Sequence, residues 1–300
     1  MLNCRVEKAR KNRSGFVRQD FDIAFIRHSA AGYKNNAEIL SSENPRAAFD
    51  SSTQVVSDLT GAGIELAKKS AEEFFENMNP TTDKIFFVSS NEARALETAN
   101  IYRQVAHDRG FEVVKPKKAK IGIKENSVLN EIGDGEIKPI NVLSINAKDM
   151  LARYVFQPEK LHPPINWDAV DDDKYKTKFE QACTIISRDE QGSWGGNFYE
   201  HSADVKEIFP EMKTSKELYN TKFKDLLSLI KWAENKFKIS DNNIKILAFG
   251  HEDILMEALE QHFKEGGIDN CEMIKFSLQD GEIKALFRGK DATLDIGRGN

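Results

Sequence analysis

The chain has 300 residues, 40% of them hydrophobic and 30% charged, and a formal net charge of −5. That length and balance suit one large α/β domain with an insertion, or two small domains, and they allow a sizeable core. The negative balance speaks against a general nucleic-acid binder, and no apolar run reaches membrane-spanning length, so neither nucleic acid nor membrane is expected as a partner.

Residues 1–19 are basic but lack the apolar stretch of a signal peptide, and they read as a flexible tail. Cys4, Cys183 and Cys271 lie far apart and are odd in number. They form neither a disulfide framework nor a CxxC pair, which fits a reduced, cytoplasmic compartment.

The first strand is expected at 21–26, "FDIAFI", short, apolar and partly β-branched. A helix over 63–78 places Ile64, Ala67, Ala71, Phe74, Phe75 and Met78 on one face and stops at Asn79-Pro80. A second buried strand follows at 83–90, then a helix over 92–110 closed by Gly110. An extended stretch is expected at 128–132. Residues 135–213 are rich in proline, glycine and acidic runs and read as an insertion over the core, with helical pieces near 145–155 and 174–188.

Regular patterning resumes with a helix over 214–238, where Thr214 and Glu217 have capping-box spacing. A third strong strand is expected at 243–250, and a helix at 252–267 ending on glycine. Residues 272–289 read as two strands joined at Gln279-Asp280-Gly281, and 291–300 as a C-terminal tail. This order implies one domain over 20–290, a three-layer α/β/α sandwich with a mostly parallel sheet and a long insertion.

In such sheets ligands collect beyond the carboxyl ends of the strands. Arg27 and His28 follow the first strand, and Ser89, Ser90 and Arg94 follow the second. Gly250 and His251 follow the third. Two arginines, two histidines and hydroxyls on one sheet edge make a pocket for an anion with several oxygens. Other chemistries lack their motifs. "HEDIL" has no second histidine four places on, "GAGIEL" is a poor dinucleotide fingerprint, and there is neither a GxxxxGK[ST] loop nor a GxSxG elbow. No metal-ligand spacing occurs, so neither metal nor cofactor is expected.

"FIRHSAAGYK" resembles the R-H-G signature of the histidine phosphatase superfamily, whose fold is phosphoglycerate mutase-like. "LTGAGIELA", "SSNEARALETA", "LNEIGDG" and "LAFGHEDIL" resemble further elements of that superfamily, in its order, and "LNEIGDG" resembles its phosphatase branch. The resemblance implies that His28 is a nucleophile that becomes phosphohistidine, that Arg27, Arg94 and His251 bind phosphate, and that Glu131 is the proton donor. It implies no metal. Three departures stand out: Ser29 replaces the usual glycine, Lys34 lies where many members place a phosphate-contacting asparagine, and Glu252 rather than the common glycine follows the late histidine.

The resulting expectation is a metal-independent phosphomonoester hydrolase acting on a small phosphorylated metabolite. The alternatives are a phosphoglycerate-type mutase, a phosphatase of phosphohistidine or phosphoserine on proteins, and a non-catalytic phosphate binder on the same fold. Hydrolysis leads over the mutase because no E-R-H-Y-G-like segment is present.

Overall fold

The computed structural model describes residues 21–32, 59–114, 136–139, 194–210, 243–279 and 282–294, with scattered positions between 177 and 228. Its centre is three apolar strands, β1 (Ile23–Arg27), β2 (Lys84–Ser89) and β5 (Ile244–Gly250). These runs do not alternate between polar and apolar residues, as suits strands covered on both faces of a parallel sheet. Two short strands, β3 (Glu112–Val113) and β4 (Ile137–Pro139), lie along one edge of β2. On the other side stand β6 (Met273–Gln279), β7 (Glu282–Phe287) and β8 (Lys290–Leu294).

The strand order is β3-β2-β5-β1-β6-β7-β8, with β4 also beside β2. β1 to β5 pair in parallel, and β6, β7 and β8 add an antiparallel wing. This is the expected α/β architecture with a mostly parallel centre. The register sets Arg27 opposite Gly250 and Ser89 opposite Phe249. The three central strands therefore end level with one another, and the residues that follow them meet on one edge.

Helices α1 (Gly61–Glu76) and α2 (Ala93–Asp108) cover one face. Phe74, Phe75, Leu96 and Tyr102 pack there against Ala24, Ile26, Phe87, Leu247 and Phe249. Each such aromatic or aliphatic side chain contributes about 1.5–3 kcal/mol by leaving water. Ile23, Phe25, Phe86, Val88 and Ile246 alternate to the opposite face and are equally buried. α3 (Trp194–Ile208) packs beside a 3-10 turn at Glu252–Ile254.

α1 begins at Gly61, two residues before the expected start, because the Thr60 side chain caps the backbone N–H of Gly63. That start puts Gly63, Ala67, Ala71, Phe74 and Phe75 inward and leaves Ile64, expected in the core, exposed. Gly110 closes α2 with a left-handed φ of +79°, as its position predicts. Thr214 and Glu217 form the capping box, each backbone N–H bonded to the other's side chain at 2.8 and 3.2 Å.

Four expectations need correction. The stretch read as an insertion from 135 begins inside the sheet, since β4 pairs with the end of β2. β4 is also pinned to α2: Arg103 Nη1 and His107 Nε2 bond one oxygen of the buried Glu136 at 2.9 and 2.7 Å. Within the same stretch, α3 is a helix despite Gly195 and Gly196, with Ser202, Val205 and Phe209 buried at helical spacing. Tertiary packing overrides the local propensity there.

The helix expected over 252–267 is a 3-10 turn, one α turn α4 (Met256–Ala258) and a π turn (Leu259–Phe263). It ends on left-handed Lys264 rather than on glycine. Finally, β8 occupies the start of the presumed tail at 291–300. It is joined to β7 by Arg288-Gly289, both at positive φ, the geometry of a tight hairpin turn. The expectations at 1–19, 128–132 and 145–155 lie outside the described residues. Among the described residues, no helix is long and apolar enough to cross a membrane.

Candidate active site

The ladder between β1 and β5 continues one step past the strands, with His28 N–H bonded to the Gly250 carbonyl at 2.9 Å. That step sets His28 and His251 side by side, their rings 5.0 Å apart and edge to face. Ser90 N–H extends the β2–β5 ladder in the same way, to the Phe249 carbonyl at 2.8 Å. Arg94, in the first turn of α2, reaches over both rings. His28, His251, Ser90 and Arg94 are all buried.

The hydrogen bonds assign both tautomers. A guanidinium only donates, so the ring nitrogens that face Arg94 are acceptors. Arg94 Nε lies 3.2 Å from His28 Nε2, and His28 Nδ1 lies 2.7 Å from the Ser29 carbonyl. His28 therefore carries its proton on Nδ1 and its lone pair on Nε2. Arg94 Nη2 lies 3.4 Å from His251 Nδ1, so the Nε2–H of His251 donates to Ser90 Oγ at 3.0 Å.

Both rings are held neutral. Burial is the largest cause for His28 and Arg94 the next; with Arg27 they outweigh the Ser29 carbonyl and push its pKa down to about 3. Burial likewise leads for His251, followed by Arg94, His28 and Arg27, and its pKa falls well below the ordinary imidazole value. The site thus presents a buried guanidinium beside a neutral imidazole whose Nε2 lone pair accepts from Arg94.

The loop 28–31 is clamped on three sides. Ser29 N–H donates to Thr98 Oγ1 at 3.0 Å, and Ser29 Oγ donates to the Gly63 carbonyl at 2.6 Å. Thr60 N–H donates to the Ala30 carbonyl at 3.0 Å. A Cβ on Gly63 would stand 2.0 Å from that same carbonyl oxygen, so only glycine permits this approach. Ser29 supplies the backbone carbonyl that orients His28 and places its hydroxyl on the start of α1.

Arg27 is engaged differently from Arg94. Its Nη1 pairs with Glu252 Oε2 at 2.8 Å and bonds the Ile268 carbonyl. Among the described residues its buried Nε has no hydrogen-bond partner. The structure thus brings together His28, Arg27, Arg94 and His251. Glu131 and Lys34 lie outside the described residues.

Thr98 and Glu252 were not singled out as site residues by sequence. Thr98 had a signal, because it lies one helical turn after Arg94 and so shares its face. Its hydroxyl bonds the Arg94 carbonyl at 2.7 Å. Glu252 showed only as an unusual residue after His251. Among the described residues, no cluster of three or more His, Cys, Asp or Glu side chains is arranged to hold a metal ion.

No family model and no curated protein sequence matches the chain. Distant likenesses exist among solved structures. YhfR of Bacillus stearothermophilus is 15% identical over 89% of this chain and 96% of that one, with a TM-score of 0.39. A mycobacterial glucosyl-3-phosphoglycerate phosphatase is 12% identical over 87% and 91%, with a TM-score of 0.41. The multiple inositol polyphosphate phosphatase of Bifidobacterium longum, solved with inositol hexasulfate, is 12% identical over 91% and 86%, with a TM-score of 0.45. What this site can do follows from its own side chains.

Proposed function

We propose that this protein is a metal-independent phosphomonoester hydrolase that works through a phosphohistidine on His28. The observation that carries this reading is the assigned tautomer: a neutral imidazole, locked through Nδ1 to the Ser29 carbonyl, with its Nε2 lone pair beside Arg94.

The chemistry follows from that arrangement. A phosphate monoester binds with its oxygens on Arg94 and Arg27. An ionised phosphate attracts the guanidinium more strongly than a neutral imidazole nitrogen does, so substrate draws Arg94 away from Nε2 and frees the lone pair. Nε2 attacks phosphorus while the P–O ester bond breaks. The ring becomes cationic as the N–P bond forms, and the Ser29 carbonyl stabilises that charge through Nδ1–H. Arg27, Arg94 and the Nε2-protonated His251 supply the fixed positive and dipolar field that phosphoryl transfer needs, so no metal step is invoked.

Glu131 is proposed as the acid that protonates the leaving alkoxide and then activates the water that cleaves the N–P bond. That second step releases orthophosphate and restores neutral His28. A small phosphorylated metabolite is the proposed substrate class, and the cytoplasm the proposed location.

The test is hydrolysis of an aryl phosphate without added metal, together with trapping of acid-labile phosphate on the protein. Turnover that survives His28→Ala, or that depends on a divalent metal, rules the mechanism out. Turnover with no trapped phosphoenzyme under rapid quench counts against the covalent step.

A further inference from the structure

We infer that Glu252 is a positioning residue for Arg27, holding one end of the guanidinium so that its remaining donors face the bound phosphate. This rests on the phosphate-site reading above and names a residue which that reading does not use.

Glu252 is buried, directly follows His251, and places Oε2 2.8 Å from Arg27 Nη1. The Ile268 carbonyl accepts from the same Nη1. One end of the guanidinium is thus gripped by a charge and a carbonyl, while the buried Nε has no hydrogen-bond partner among the described residues. A buried guanidinium N–H without a partner is a costly feature, and it is relieved when an anion arrives.

The surroundings are built to keep this geometry. Arg27 N–H donates to the Glu272 carbonyl at 3.1 Å, and the Arg27 carbonyl accepts from Cys271 N–H at 3.0 Å. The loop that carries Ile268, Cys271 and Glu272 is itself braced from the β7–β8 turn. Arg288 Nη1 pairs with Glu265 at 2.6 Å and Arg288 Nε with Glu272 at 2.7 Å, while Lys290 pairs with Glu265 at 2.7 Å.

A carboxylate beside an anion site has two opposed effects. By charge alone it repels phosphate, so its removal strengthens phosphate binding. By orienting Arg27 it assists phosphate, so its removal weakens binding. The sign of the change separates the two.

The experiment is calorimetric titration of orthophosphate into the full chain. The variants are Glu252→Ala, Glu252→Gln, Arg27→Ala and the two Glu252 variants combined with Arg27→Ala. Glu252→Ala is expected to weaken orthophosphate binding by about tenfold or more, the usual scale for breaking a buried charge pair. In the Arg27→Ala background the same change is expected to do nothing beyond about twofold, because the group it positions is gone. Glu252→Gln keeps the shape of the side chain but loses the charge that pairs with Arg27, and it is expected to weaken orthophosphate binding in the same direction, by about threefold or more.

Tighter orthophosphate binding in either Glu252 variant overturns the proposal, as does an equal loss with and without Arg27. Absence of orthophosphate binding by the wild type overturns it as well. If Glu252→Ala does not fold, Glu252→Gln decides by the same sign. A kcat loss above about a hundredfold in Glu252→Gln with unchanged orthophosphate affinity would put this carboxylate on the reacting atoms and also overturn it. Aryl phosphate turnover is read separately. A wild type that binds orthophosphate with the Arg27 coupling but does not turn over sinks the hydrolase reading alone.

Discussion

Arg94 Nε stands 3.2 Å from His28 Nε2, and because arginine has no acceptor, this one contact decides which ring nitrogen carries the lone pair. The same guanidinium faces His251 Nδ1 through Nη2. Arg94 therefore orients two imidazoles and depresses both pKa values.

On the proposed mechanism, His28→Ala is expected to reduce aryl phosphate turnover by about 10³-fold or more with the fold retained. Steady-state kinetics with a matched melting curve checks this.

Arg94→Ala is expected to lower kcat/KM by about 10²–10³-fold, the scale for losing one charge-stabilising donor. It also raises the His28 pKa from about 3 toward the ordinary imidazole value, because the Arg94 charge is the second cause of its depression after burial. Imidazole titration by NMR in the variant reads that shift. An unchanged His28 titration would contradict the Arg94 contact.

Both histidines have folded-state pKa values below their unfolded value, so the unfolded chain binds protons that the native state refuses. Stability is therefore complete above about pH 6.5 and falls as the pH drops below it, continuing toward about 3 for His28. The slope is on the order of 1 kcal/mol per pH unit for each ring. Melting temperature against pH should be measurably shallower between about pH 6 and 4 in His251→Gln than in the wild type.

Gly63→Ala drives a methyl group into the Ala30 carbonyl, 2.0 Å from its ideal position. The expected cost is about 1–3 kcal/mol, the range for an overpacked site, with a loss of turnover because loop 28–31 carries His28. Gly61→Ala, where a Cβ meets nothing within 4 Å, is the control expected to leave both unchanged.

Ser90→Ala removes the acceptor for His251 Nε2–H. A buried donor left unpaired costs about 1–3 kcal/mol, which chemical denaturation measures. The same variant is expected to lower kcat through the freed His251 ring.

The amino-acid sequence alone determined the central strands, because runs such as "FDIAFI" and "NIKILAFG" are too uniformly apolar to be anything but buried. It also placed Arg27, His28, Arg94 and His251 just past strand ends or at a helix start, where a parallel sheet gathers them. Local chemistry was enough for the Gly110 stop and the Thr214–Glu217 box, since capping depends on residues within a few positions, but not for the Thr60 cap, which starts α1 two residues earlier than expected. Sequence could not show that Glu252 grips Arg27, 225 positions away, because nothing local distinguishes a paired carboxylate from a solvated one. Nor could it show β8, whose strand exists only by pairing with β7, or α3, whose helix is held by its packing. The tautomers were also decided by tertiary structure. The imidazole chemistry of His28 depends on a carbonyl one residue away and on a guanidinium 66 positions along the chain, and only the fold brings the two to one ring.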